Sequence, residues 1–572
     1  MIRPFTLAEM IRRAWFGAIL IWLLLPLGHA FAAATKPNLV LITLSSARAD
    51  RMGFLGAKGG LTPNLDRLAA ASLVFEHAYA QAPGTLVSHA SLLTGSYPQV
   101  TGFSEIGGSL APPLPYLPDL LKAQGYRTAA FVGSIELDPA NGLAQGFDRG
   151  FQTYDAGFRP LIPGDPRPPI TRRSGAETVT RAITWLSQNS QAPFFLWVEI
   201  HDGDVSRDSY NRAITAADAA VGKLLAALKT EKVDGNTAIV VAADHGQSLG
   251  SHGESTHGIF LYDETIHAPL LVKLPAAQGA PANPVTARVA ARVTAKVRLV
   301  DIAPTLLEIA SLPVPSQMQG QSLLRAAKSG GEQPVYSRAD LSQRGFGWST
   351  LESWRAGRYL YIRAPKPELY DTTADPAAAH NLAESSKATL STMAAQLDAL
   401  DRRFSGETGK TSAELSSSEL QKLASLGYVG LQQASTHSAA ATGIDPKDKI
   451  AIANKVVEAA PSTLVPATPD QAIAALAPMA AKETGLYLAE YALGVAFAQK
   501  GQFAGAVKHL HKAIELQPDS AWAHFEIGAT LVKTGDYKTA AVHLEIAAAR
   551  LPAFAPAQSA LAEAKGRLSG KK

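Results

Sequence analysis

Cysteine is absent from all 572 residues, and that gap excludes disulfides, thiolate metal sites and cysteine nucleophiles. An excess of charge of one sign is missing as well. Lys and Arg number 53 against 49 Asp and Glu, a formal net charge of +4, which is far from the basic footprint of a dedicated nucleic-acid binder. No nucleic-acid partner is expected. Composition also rules out disorder of the whole chain, because 47% of residues are apolar and only 18% are charged. A chain this long exceeds one ordinary core and fits two or three domains.

What is present begins with a distinctive leader. Arg3, Arg12 and Arg13 precede an apolar run over residues 14–27, and small residues follow at 30–32. This is the pattern of a signal peptide cleaved near residue 32. Its loss would remove three Arg and one Glu, leaving a net charge of +2. A periplasmic or secreted protein is expected, in a compartment where divalent ions are available and disulfides are permitted but unused. Were the leader retained, the slightly short apolar run would serve as a membrane anchor.

From residue 38 onward the chain alternates strand-like and helix-like stretches. Residues 38–44 are a short apolar run rich in β-formers, and similar runs recur at 128–132, 194–200 and 237–242. Helical spacing begins near Pro63 and returns at 176–186 and 216–228. Such alternation predicts an α/β fold with a mostly parallel sheet flanked by helices. Ligands gather at the carboxyl edge of such sheets, which selects Ser45-Ser46, residues 201–204 and Asp244-His245-Gly246. A smaller α+β region over 286–400 is expected to close the catalytic unit, residues 36–402.

Residues 403–446 are rich in Ser, Thr, Gly and Ala and are expected to form a linker. Beyond them, over 447–572, the chain repeats. Gly494, Gly501, Leu510, Ala513 and Pro518 recur 34 residues later as Gly528, Gly535, Leu544, Ala547 and Pro552, and Tyr491 and Phe503 recur as Phe525 and Tyr537. Small residues at helix crossings with that period define an all-α tetratricopeptide domain. A degraded earlier repeat over 446–484 and a capping helix over 555–568 would complete the stack. Its concave face would bind a protein or peptide partner.

Two clusters could carry chemistry. Asp244, His245 and His257 offer a hard oxygen and imidazole nitrogens to a divalent metal, although a polar, glycine-rich loop such as 250–254 can also hold histidines incidentally. Thr85 stands where a helix starts within 81–95. A hydroxyl there can attack phosphorus or sulfur if a metal lowers its pKa and the helix N-terminus holds the anion; it can equally be a plain N-cap.

The stretches 85–95, 244–269 and 369–382 together resemble the sulfatase-like branch of the alkaline phosphatase superfamily, and Leu426-Gly427-Tyr428-Val429-Gly430 resembles the closing segment of its fusions to tetratricopeptide repeats. The resemblance implies a hydroxyl or formylglycine nucleophile at Thr85, metal ligands at Asp244, His245 and His257, and a further ligand or substrate contact at Asp202. Asp204 and Ser45 would assist in holding the ion (calcium, zinc or manganese), and His89 would contact the ester oxyanion.

Departures from the family pattern are concentrated in the same pocket. Where the family has an Asp ligand after the first strand, this chain reads Ser45-Ser46-Ala47-Arg48-Ala49-Asp50. Where Asp-Pro-His is usual it reads Asp202-Gly203-Asp204. Val87 replaces a usual proline and Thr101 a common histidine. Losing a carboxylate at Ser45 weakens the grip on a hard ion. Formylglycine is excluded by chemistry, since oxidising the secondary alcohol of Thr85 gives a ketone rather than an aldehyde. Two functions remain open: a metal-dependent hydrolase of phosphate or sulfate esters with a degenerate site and a threonine nucleophile, or an inactive scaffold or ligand sensor that recruits a partner through its repeats.

Overall fold

The computed structural model describes residues 36–104, 107–110, 113–159, 170–202, 207–276, 291–404, 416–426, 428, 443–460 and 468–570. The expected leader at 1–32, Asp204 and most of the expected linker lie outside the described residues.

Residues 37–572 form one compact unit built on an eight-stranded sheet. Three of its strands, Asn38–Leu44, Phe194–Ile200 and Thr237–Ala243, are buried at every position, as strands covered on both faces must be. They lie side by side in parallel, with Asn38–Leu44 in the middle. Across the sheet the order is Ala291–Arg298, Leu73–Tyr79, His267–Lys273, Thr237–Ala243, Asn38–Leu44, Phe194–Ile200, Arg127–Phe131 and Thr153–Asp155. Only His267–Lys273 runs antiparallel to its neighbours. Helices such as Gly175–Asn189 and Arg207–Thr230 flank it, so the α/β expectation holds.

The region 286–400 departs from expectation at its start. Ala291–Arg298 pairs in parallel with Leu73–Tyr79 and belongs to the large sheet. What remains is an antiparallel sheet of Val335–Ala339, Leu351–Ala356, Tyr359–Arg363 and Glu368–Asp371, against which helix Lys387–Phe404 buries Met393, Leu397, Leu400 and Phe404.

The C-terminal region is helical throughout: Ile450–Ala459, Pro469–Lys482, Tyr487–Gln499, Phe503–Leu516, Ala521–Thr534, Tyr537–Arg550 and Ala555–Leu568. The repeat has a steric basis. A β-carbon on Gly494 would lie 2.5 Å from Leu510, and one on Gly528 would lie 2.6 Å from Leu544, so each glycine lets paired helices close. Gly501 and Gly535 take positive φ values of 70° and 85°, the conformation a helix-ending residue needs. Within the expected linker, helix Ser417–Ser425 starts with a capping box between Ser416 and Glu419. It docks on the repeats: Leu423 is buried, Lys422 pairs with Glu545 at 2.7 Å, and the Tyr428 ring stacks on His511 at 4.1 Å.

Candidate active site

Three strands deliver the site to one edge. Asn38–Leu44 ends at Ser45, its neighbour Thr237–Ala243 ends at Asp244, and Leu73–Tyr79 leads through Gln81 to Gly84, the N-cap of helix Thr85–Thr94. Asp244 is fully buried, and its Oδ1 accepts the N–H of Ser46 and of His245, each at 2.8 Å. Burial opposes its charge, yet donors around it, among them those two N–H groups, keep its carboxyl below the ordinary carboxylate range.

Thr85 and His245, 160 positions apart, meet here. Thr85 Oγ1 lies 3.2 Å from His245 Nε2, and His245 Nδ1 lies 2.7 Å from the carbonyl oxygen of Gly246. A carbonyl can only accept, so Nδ1 bears the proton and Nε2 of the neutral ring turns its lone pair to the threonine hydroxyl. Hydroxyl, imidazole and carbonyl are thus in hydrogen-bond sequence, the arrangement that activation of a hydroxyl by a base requires. The N–H groups at the start of helix Thr85–Thr94 precede its first internal bond, from Ser88 N to Gly84 O at 3.0 Å, and can hold an anionic oxygen.

His89 occupies another position than the one expected. Its Nδ1 donates to the Thr85 carbonyl at 2.7 Å, and its Nε2 accepts from Thr43 Oγ1 at 2.9 Å, which in turn accepts the indole N–H of Trp197 at 3.0 Å. Burial lowers the pKa of this ring and keeps it neutral. Both nitrogens are therefore committed to the protein, and the ring fixes the first turn of the helix instead of meeting an ester oxygen.

Of the expected metal ligands, Asp244, His245 and His257 lie together, with Asp244 Oδ2 3.5 Å from His245 Nε2. His257 Nδ1 donates to Gln247 Oε1 at 2.6 Å, and its ring lies 4.4 Å from that of His245. Burial depresses its pKa to about 3. Asp202 Oδ1 accepts the N–H of Gly175 at 2.9 Å, so this carboxylate caps helix Gly175–Asn189. The buried atoms left without partners at this edge include Asp244 Oδ2, Ser45 Oγ, Glu199 Oε1, His201 Nδ1 and Asp202 Oδ2, so that three carboxyl oxygens and an imidazole nitrogen stay unclaimed by the protein. Among the described residues no group of three or more His, Asp or Glu is placed to hold a metal ion. A hard divalent ion is held by several carboxylate oxygens, and the unclaimed ones at this edge belong to Asp244, Glu199 and Asp202.

Three further residues stand at the site: Glu136 and Glu199, which were not foreseen, and His201, which belongs to the edge segment 201–204 singled out from the sequence. Glu136, on the short turn Ile135–Leu137, faces the Thr85 hydroxyl; burial, reinforced by the charge of Asp244, raises its pKa to about 7. Glu199 lies inside the apolar strand Phe194–Ile200 with no exposed surface. Its Oε2 accepts the N–H of Gly133 at 2.6 Å and of Ser134 at 3.0 Å, and burial pushes it up to about 8. His201 Nδ1 stands 3.8 Å from its other oxygen, with a pKa lowered by burial to about 4. The available signal was the carboxylate of Glu199 in a run otherwise apolar, since a buried charge has to be compensated by something nearby.

A parallel-rich α/β sheet with a threonine hydroxyl beside a histidine at its carboxyl edge suits a hydrolase unit of the sulfatase type. Residues 37–312 match the sulfatase family, residues 252–403 match the C-terminal region of N-sulphoglucosamine sulphohydrolase, and residues 494–535 match a TPR repeat. This chain carries a sulfatase-family domain followed by tetratricopeptide repeats. It is 26% identical over 431 residues to an ulvan-active sulfatase of Formosa agariphila, spanning 66% of this chain and 82% of that protein. With N-acetylgalactosamine-6-sulfatase of Sus scrofa it shares 28% over 392 residues, 57% of this chain and 74% of the relative. The crystal structure of a phosphonate monoester hydrolase of Agrobacterium radiobacter shares the fold, with a TM-score of 0.52 and 19% identity over 67% of this chain and 99% of that one. The family generally depends on a divalent ion.

Proposed function

We propose that this chain is an exported hydrolase of sulfate or phosphate esters in which Thr85 is the nucleophile and His245 its base. The observation that supports this most is the 3.2 Å approach of Thr85 Oγ1 to an imidazole whose other nitrogen is fixed on Gly246. In the first step Thr85 Oγ1 bonds to sulfur or phosphorus as its proton passes to His245 Nε2, the bond to the alcohol oxygen breaks, and that oxygen takes a proton from solvent water, leaving hydroxide. A second water then attacks the enzyme ester and gives its proton to that hydroxide, while His245 returns its proton to the leaving Thr85 oxygen. Helix N-terminal N–H groups hold the non-bridging oxygens. The names of the relatives, which include sulfatases of ulvan and of N-acetylgalactosamine, favour a sulfated sugar. The leader at 1–32 supports export, and the repeats favour a protein partner.

The test is turnover of aryl sulfates, phosphate esters and a phosphonate monoester by the full chain in the presence of a chelator. Thr85→Ala should abolish activity, and His245→Ala should reduce it roughly 100- to 10,000-fold. Turnover that survives Thr85→Ala rejects the nucleophile. A wild-type chain that turns over none of these esters while capturing a partner through its repeats supports the scaffold reading instead.

A further inference from the structure

The loop bearing His257 is gripped from the helical C-terminal region at both of its ends. At one end stands Asn454, on helix Ile450–Ala459. Its Oδ1 accepts the backbone N–H and the hydroxyl of Ser255, both at 2.9 Å, and its Nδ2 donates to the carbonyl of Gly253 at 2.7 Å. One side chain thereby satisfies three groups of a surface loop that has little regular structure of its own, and Ile450 packs within 3.4 Å of where a Gly253 β-carbon would stand. At the other end Leu341 lies 2.7 Å from the corresponding position of Gly258. The helix bearing it, Leu341–Phe346, is backed in turn by the first repeat helix, Leu488 closing to 2.7 Å of the β-carbon position of Gly345. A salt bridge from Arg344 to Asp519 at 3.1 Å and a bond from Gln517 Nε2 to the Arg344 carbonyl at 3.0 Å hold that junction.

Between those grips the loop keeps its own frame. Glu254 is buried and accepts the N–H of Ile259 at 2.9 Å and of Phe260 at 3.2 Å, and Ser248 N donates to Thr256 O at 2.7 Å. His257 then reaches inward, with its ring against that of His245 and its Nδ1 on Gln247. A contact path therefore runs from Asn454 through residues 253–257 to the ring that faces Thr85.

We propose that Asn454 is a positioning residue of the active site, through which the helical region sets the His257 loop and the orientation of His245. An isolated ion pair on the surface would do none of this, because exposed pairs hold loosely; three bonds from a planar amide fix both the distance and the direction of the loop. On this view the repeats are a working wall of the pocket as well as a surface for partners. The kinetic consequence rests on the Thr85–His245 reading, whereas the structural one does not.

The experiment uses the full chain. In Asn454→Ala, amide exchange of residues 248–257 should accelerate by about tenfold or more while the repeat helices keep their protection, and the imidazole nitrogen resonances of His257 and His245 should shift. Lys422→Ala, which breaks the pair with Glu545 elsewhere in the helical region, should leave both signals as they are. Ser255→Ala, which removes only the hydroxyl bond, should produce a smaller change of the same kind and serves if the asparagine variant folds poorly. On an ester that Thr85 turns over, Asn454→Ala should lower kcat by roughly 10- to 100-fold with KM little changed. Unchanged loop exchange and histidine resonances in Asn454→Ala overturn the proposal. If turnover proves independent of Thr85, the mechanism fails while the exchange and resonance results still decide the role of Asn454.

Discussion

The ring of His89 reaches back one helical turn to the carbonyl of Thr85, at 2.7 Å. That bond, with the one from Thr43, makes the histidine a brace for the helix start that presents the Thr85 hydroxyl. His89→Ala leaves a cavity and strips partners from a buried carbonyl and a buried hydroxyl. It should destabilise the protein by about 2–4 kcal/mol, read by urea unfolding. Loss of turnover with unchanged stability would instead mean that the ring meets the substrate directly.

Ser45 and Asp244 follow paired positions of adjacent strands, since Leu44 is opposite Ala243, and each has a buried oxygen with no partner. Ser45→Asp places a second carboxylate beside the first. The variant should bind calcium at least about tenfold more tightly than the wild type by titration calorimetry, because charged oxygens govern affinity for hard ions. Without calcium it should melt at a lower temperature, as two buried carboxylates repel. Equal calcium affinity in the two proteins would show that the missing carboxylate is not what prevents binding.

Glu526 is buried in the second repeat, and that burial pushes its carboxyl from an ordinary 4.5 up to about 8, with Lys533 pulling the other way. The folded chain therefore retains a proton that the unfolded chain releases. Its stabilising share is complete below the ordinary carboxyl range and disappears as pH rises through about 8. Glu526→Gln mimics the protonated side chain. Its stability should match the wild type at pH 4 and exceed it by about 1–3 kcal/mol at pH 9, measured by urea unfolding. A gap that is widest in acid would contradict the assigned burial.

Much of the frame was legible because single features determine it. The strands Asn38–Leu44 and Phe194–Ile200 coincide with uninterrupted runs whose ends are set by small or polar residues, and the 34-residue spacing of Gly494 and Gly528 reflects one helix contact made twice. Helix Ser417–Ser425 was masked by its serine-rich surroundings, although the Ser416 and Glu419 pair is a start signal that can be read locally. Ala291–Arg298 joined the larger sheet because its partner, Leu73–Tyr79, lies more than 200 positions earlier, and no local pattern specifies that pairing. The meeting of Thr85 with the Asp244-His245 pair follows from strand ends converging on one edge. Glu136 was missed because its approach to Thr85 depends on a turn held by Glu199 through the N–H groups of Gly133 and Ser134, a partnership between separate strands. At Asp202 the start of helix Gly175–Asn189 claims one oxygen and leaves the other without a partner, a division that the sequence around residue 202 does not announce.

Gly142 closes the loop that carries Glu136, and a β-carbon there would lie 3.2 Å from Trp522 and Leu551 and 3.4 Å from Phe554. The rings of the repeats therefore rest on bare backbone a few residues from the chemistry. Cut away from one another, each half would expose a greasy scar shaped to the other. The pair cannot be exchanged between chains like interchangeable modules, and any lineage that drops the tail must first rebuild the floor it covers.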